Sequence, residues 1–137
     1  MHRFLRWTVW GVALAFAGCS SNEGPTAPTT IGPPPTITQN FSGTLTVNGA
    51  RTHPFTATTA GSIVVILTDV TPDGVIVGLT LGTWNGSHCT TVLSSDNADE
   101  GERIVLVASS EGNLCVRIHD TGSVTQPTTY NIQVEHS

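Results

Sequence analysis

The 137-residue chain contains no lysine and only five arginines, and two of those, Arg3 and Arg6, fall within the first six residues. From residue 19 onward Arg51, Arg103 and Arg117 stand against ten carboxylates, a formal charge of −7. Three cations cannot line a groove for a polyphosphate backbone, which excludes nucleic acid as a partner. An acidic body without a basic patch is likewise repelled by anionic lipid headgroups. Signatures of catalysis are missing as well. The chain has no Gly-x-Ser-x-Gly elbow and no His-Glu-x-x-His, and His53, His88, His119 and His136 are scattered without metal-ligand spacing. His119 and Asp120 are neighbours, but consecutive strand residues point to opposite faces and cannot form a relay. Heptads, a collagen-like glycine period and an apolar run of about 20 residues are all absent, which removes coiled coils, triple helices and membrane-spanning helices.

What is present begins with a leader. Arg3 and Arg6 precede a short apolar stretch, Val9 to Ala17, and a small-residue ending, Ala15-Phe16-Ala17-Gly18-Cys19. An apolar run of about ten residues has the length of a secretory h-region. The Ala-Gly-Cys ending resembles a bacterial lipobox, with Phe16 where leucine is usual. The resemblance implies removal of residues 1–18 and a diacylglyceryl group on Cys19. The alternative is an ordinary signal peptide cut at Ala-x-Ala. Two or three acyl chains, at about 0.8 kcal/mol per buried methylene, anchor a protein stably where one does not. Ser20 follows the cysteine in place of the aspartate that commonly retains such lipoproteins at the inner membrane. The expected location is the bacterial envelope, at the outer membrane or cell surface, with the lipid as the only membrane link.

With Cys19 assigned to lipid, Cys89 and Cys115 remain. An exported protein occupies a disulfide-permissive compartment, so the pair is expected to be one disulfide. Free buried thiols or metal ligation beside His88 are the alternatives, the latter without the spaced pairs of a zinc site.

Residues 19–38 read as a tether, with Pro25, Pro28, Pro33, Pro34 and Pro35 set among threonine, glycine and serine. Such a segment extends at about 3.1 Å per residue. From residue 39 the pattern changes to short strands separated by turn residues, helped by 22 threonines along the chain. Phe41, Leu45 and Val47 alternate with polar residues up to Asn48-Gly49, which predicts a tight hairpin. Phe55 and Ala57 follow Pro54 on the next strand. Ile63-Val64-Val65-Ile66-Leu67 is a continuous apolar run suited to a strand covered on both faces. Val75–Thr83, Cys89–Leu93, Arg103–Ala108, Leu114–His119 and Thr129–Glu135 supply further strands. About eight strands at spacings near 8–12 residues, with no convincing helix, predict a single all-β domain, an antiparallel β-sandwich or jelly roll over residues 39–137.

This series resembles the bacterial pre-peptidase C-terminal (PPC) domain, a small β-sandwich of exported proteins. The likeness rests on Phe41-Ser42-Gly43-Thr44-Leu45, Phe55-Thr56-Ala57 and Leu79-Thr80-Leu81. It continues in Glu111 to Ile118 and in Tyr130-Asn131-Ile132-Gln133-Val134. Relatives often have aspartate where Gly78 stands and an aromatic where Leu114 stands. Some members bind calcium, protein or polysaccharide, but no residue here matches those sites. The resemblance therefore implies a fold and no activity.

Two segments are candidates for binding. Asp96, Asn97, Asp99, Glu100 and Glu102 make the densest acidic cluster and could offer oxygen ligands to calcium. A solvated turn that keeps a strand edge soluble explains the same residues. Trp84 precedes the turn Asn85-Gly86, and an exposed indole there could stack on a sugar with Asn85, Ser87 and His88 as polar contacts. Its alternative role is to cap one end of the core. The sequence thus predicts a non-catalytic, lipid-anchored binding or adhesion module for extracellular protein or polysaccharide. A structural component that self-associates through exposed β-edges is the runner-up, and a small hydrolase a third class.

Overall fold

The computed structural model describes residues 32–137. The expected leader, Cys19 and the first part of the expected tether lie outside these residues. Eight strands follow in order: β1 (Ile37–Leu45), β2 (Ala50–Ala57), β3 (Gly61–Thr71), β4 (Val77–Trp84), β5 (Cys89–Ala98), β6 (Arg103–Ala108), β7 (Gly112–Asp120) and β8 (Thr128–His136). They form two four-stranded antiparallel sheets, β1-β8-β3-β6 and β2-β7-β4-β5. The expected all-β sandwich is observed, and its strand order is that of a jelly roll.

The core follows from period-two alternation. In the first sheet Leu45, Ile63, Val65, Leu67, Tyr130, Ile132 and Val134 point inward. Phe55, Ala57, Val77, Leu79, Leu81, Leu114, Val116 and Ile118 meet them from the second. Each fully buried Leu, Ile or Val contributes about 1.5–3 kcal/mol relative to exposure, so this interior carries the domain.

Four expectations need correction. Asn48-Gly49 does not close a hairpin: β1 pairs with β8 and β2 with β7, so the turn carries the chain from one sheet to the other. Asn48 takes the left-handed conformation at φ 55°, and the Gly49 N–H donates to the Thr46 carbonyl at 2.8 Å. Both strands turn their odd-numbered residues inward, which suits facing sheets. Next, β3 has one covered face. Its outer residues Val64 and Ile66 are shielded by neighbours in the same sheet, Val64 standing opposite Val105 and Glu135. Further, β1 begins at Ile37, two residues inside the expected tether, because β8 extends to His136 and gives Ile37 and Thr38 partners. Lastly, β5 runs on to Ala98 rather than stopping near Leu93, taking Asp96 and Asn97 out of the presumed loop.

One carboxylate ties the ends of three elements. Asp120, the last residue of β7, accepts from the backbone N–H groups of Asn48 at 2.8 Å, Gly122 at 2.7 Å and Val124 at 3.0 Å. Its own N–H donates to the Gly49 carbonyl at 3.0 Å. The backbone donors, Asn48 first, hold its pKa below the ordinary 3.8, because hydrogen bonds to the charged form favour ionisation.

Candidate ligand-binding site

The outer face of the second sheet is shaped by β4, whose outward positions are Gly78, Thr80, Gly82 and Trp84. Its flanking strands, β7 and β5, are bridged over two of these positions. Cys115 pairs with Gly82 in the β7–β4 ladder, while Cys89 pairs with Trp84 in the β4–β5 ladder. In a flat sheet strands on either side of a third lie about 9.5 Å apart. The Cα atoms of Cys89 and Cys115 are 5.8 Å apart and their sulfurs are bonded. Strand β5 therefore curls over the outer face of β4, and its register shifts between Leu81 and Gly82. Gly82 makes room for this: an added Cβ would collide with the Thr90 carbonyl oxygen. The second bridge crosses Gly78, where the His119 imidazole covers the glycine and its Nε2 lies 3.6 Å from Asp96 Oδ1.

At the curled end lies an open depression of about 330 Å³, lined by Thr52, Trp84, Ser87, His88, Cys89 and Arg117. Trp84 comes from the end of β4, Ser87 and His88 from the β4–β5 turn, and Arg117 and Thr52 from adjacent register positions on β7 and β2. Trp84 is half-buried and is not packed against the core, so it does not cap the sandwich. Of the expected contacts, Trp84, Ser87 and His88 line the depression while Asn85 does not. The Asn85 Oδ1 instead accepts from the N–H groups of Ser87 at 2.9 Å and His88 at 2.7 Å, an Asx turn that sets the hairpin geometry. Arg117 and Thr52 are absent from the sequence expectation. A usable signal existed: Arg117 is two residues from Cys115, so a Cys89–Cys115 bond brings its face of β7 beside His88.

The lining combines an aromatic face, hydroxyls, an imidazole and a guanidinium, and it contains no carboxylate. Among the described residues the ion pair that forms is His119–Asp96, so Arg117 has no carboxylate partner within the fold. A planar, always-charged fork beside an indole can hold a carboxylate bidentately while the ring covers an apolar sugar face.

The acidic candidates are dispersed. Asp96 faces His119, Asn97 is exposed on β5, and Asp99, Glu100 and Glu102 lie in or beside the following turn, closed by Glu102 N–H to Asp99 carbonyl at 3.0 Å. Among the described residues no three His, Cys, Asp or Glu side chains gather as a metal-holding group.

The other histidines serve packing. His53 stacks on Phe41 at 5.0 Å between ring centroids, and its Nε2 lies 2.7 Å from the Tyr130 hydroxyl. Burial first, and the nearby Arg51 charge second, lower the His53 pKa from its ordinary 6.5, while burial raises that of Tyr130. His136 is buried against Phe55 and leaves its Nε2 without a partner in the described residues.

No protein-family model matches this chain, and no curated protein sequence matches it either.

Proposed function

We propose that this protein is a non-catalytic, lipid-anchored binding module of the bacterial envelope, whose ligand is a polysaccharide bearing carboxylates. One observation carries the ligand class: Trp84 and Arg117, which has no carboxylate partner among the described residues, share one open, carboxylate-free depression. Sugar rings stack on indoles through their apolar C–H faces. A uronate adds the anion that Arg117 would otherwise lack. The anchor rests on the resemblance of Ala17-Gly18-Cys19 to a lipobox and on the proline-rich tether. The placement of the resembling segments on β1, β2, β4, β7 and β8 supports the PPC-like reading of the sandwich. Support for the non-catalytic reading comes from the histidines: His53 and His136 pack among aromatics, and His119 lies over Gly78 opposite Asp96.

Calorimetric titration with polygalacturonate and with its fully methyl-esterified form tests the reading. The acid is expected to bind and the ester to bind at least tenfold more weakly, because a charged hydrogen-bonded contact contributes about 1.5–3 kcal/mol. Arg117→Ala should remove the difference between them, and Trp84→Ala should weaken both. Equal binding of acid and ester by the native protein, or titrations unchanged in both variants, would refute it. Mass spectrometry of the native protein tests the anchor, which predicts an acylated Cys19 as the first residue.

A further inference from the structure

The two sheets end in four edge strands, β1 and β6 in the first and β2 and β5 in the second. Unpaired edges invite pairing with other chains, and proteins usually blunt them. Strand β2 carries Pro54, which has no N–H to donate. Strand β5 is irregular at two points of its ladder and curls away. Strand β1 follows Pro33-Pro34-Pro35 and turns Thr38, Asn40, Ser42 and Thr44 outward. Strand β6 has none of these devices. It runs Arg103-Ile104-Val105-Leu106-Val107-Ala108 without proline, glycine or lysine, in unbroken register with β3. Its outward residues Val105 and Val107 are 49% and 76% exposed, the latter the most exposed large apolar side chain described. Beside the edge runs a groove of about 250 Å³ whose lining includes Leu106, Val107, Ala108, Thr83 and Leu114.

We propose that β6 is a self-recognition edge, and that two copies of this chain join through antiparallel β6–β6 pairing into one continuous eight-stranded sheet. The occupant is a second copy because the edge is complementary to itself. Ile104-Val105-Leu106-Val107-Ala108 is nearly palindromic about Leu106, so a two-fold axis there sets each Val105 opposite the second copy's Val107. The charges obey the same symmetry. Arg103 opens the strand and Glu111 lies just beyond its end, so antiparallel pairing brings each Arg103 toward the second copy's Glu111, at an end that also carries Glu100 and Glu102. A six-residue strand is about 20 Å long, and one such edge buries less than the roughly 1,200 Å² of stable interfaces. The expected dimer is therefore weak, in the micromolar range. Anchoring on a membrane, if Cys19 is acylated as proposed, raises the effective concentration enough to populate it. This assembly is independent of the ligand assigned to the Trp84 depression.

Sedimentation equilibrium of the full chain in density-matched detergent, from about 1 to 200 μM, tests the edge directly. A reversible monomer–dimer equilibrium is expected, weakened at least tenfold by Val107→Lys and by Arg103→Glu, with the Arg103→Glu/Glu111→Arg pair restoring association. Val47→Lys, at an exposed turn position away from β6, controls for added charge and should leave the equilibrium unchanged. Circular dichroism establishes that each variant is folded. A monomer throughout this range, association unaffected by Val107→Lys, or a charge swap that fails to restore it would each overturn the proposal.

Discussion

Gly82 and Gly78 look alike in the sequence, four residues apart on the outer side of β4, yet they face different obstacles. A methyl group at Gly82 would meet the Thr90 backbone, which the β4–β5 ladder and the disulfide hold in place. At Gly78 it would meet the His119 imidazole, a side chain that can swing toward solvent. Gly82→Ala is therefore predicted to cost about 2–3 kcal/mol in urea denaturation, and Gly78→Ala about 1 kcal/mol or less. Equal losses would mean that β5 yields as easily as a side chain. On the acid side, two titratable residues with shifted pKa values contribute to the pH profile. Because His53 has a folded-state pKa below 6.5, the unfolded chain gains a proton first on acidification. Stability is then complete above about pH 7 and declines as pH falls through 6.5 toward the lowered value. Asp120 adds a second decline below its ordinary 3.8, as its depressed folded-state pKa is crossed. Denaturant midpoints followed from pH 8 to pH 3 should show both steps, with His53→Phe removing the upper and Asp120→Asn the lower. A flat profile between pH 7 and 5 in the native protein would contradict the His53 assignment.

Among the elements, β4, β6, β7 and β8 were legible because their alternation or apolar runs encode a covered face. The connection after β1 was not. Asn48-Gly49 specifies a tight reversal locally, but the choice between a hairpin and a step between sheets is made by distant partners, β8 and β7, and by the Asp120 carboxylate. Strand β5 was legible only in its first half. Ser94, Asp96 and Asn97 are exposed there and the polar Ser95 stands opposite the core residue Leu79, so the backbone ladder with β4 holds them in a strand that no apolar pattern announces. The disulfide was legible from compartment and parity, whereas its role in curling β5 over Gly82 follows only from the three-strand geometry. Its loss should be costly. The bridge closes a separation of 26 residues, so Cys89→Ser/Cys115→Ser is predicted to lose about 3.5 kcal/mol by the chain-entropy relation. The same variant should also weaken polygalacturonate binding, since the curl places His88 and Ser87 beside Arg117. Full affinity without the bridge would separate the site from the curl.

For the whole molecule, the proposed binding depression and the proposed β6 pairing edge lie on different sheets. The second sheet presents Trp84 and Arg117, and the first ends in β6. Half of the candidate site could be read along the chain, since Trp84 and His88 flank one turn. The other half, Arg117 and Thr52, arrives through register from β7 and β2, a relation that linear spacing does not express. The proposed removal of the leader would take away Trp7 and Trp10 and leave Trp84 as the sole tryptophan. Its fluorescence then reports the proposed site without a label. Adding polygalacturonate to the processed protein is predicted to quench and shift that emission in a saturable way that weakens as salt is raised, while the methyl ester at equal concentration changes it far less. An emission spectrum indifferent to the acid, or equally responsive to acid and ester, would contradict the assignment of Trp84 and Arg117 to a carboxylated glycan.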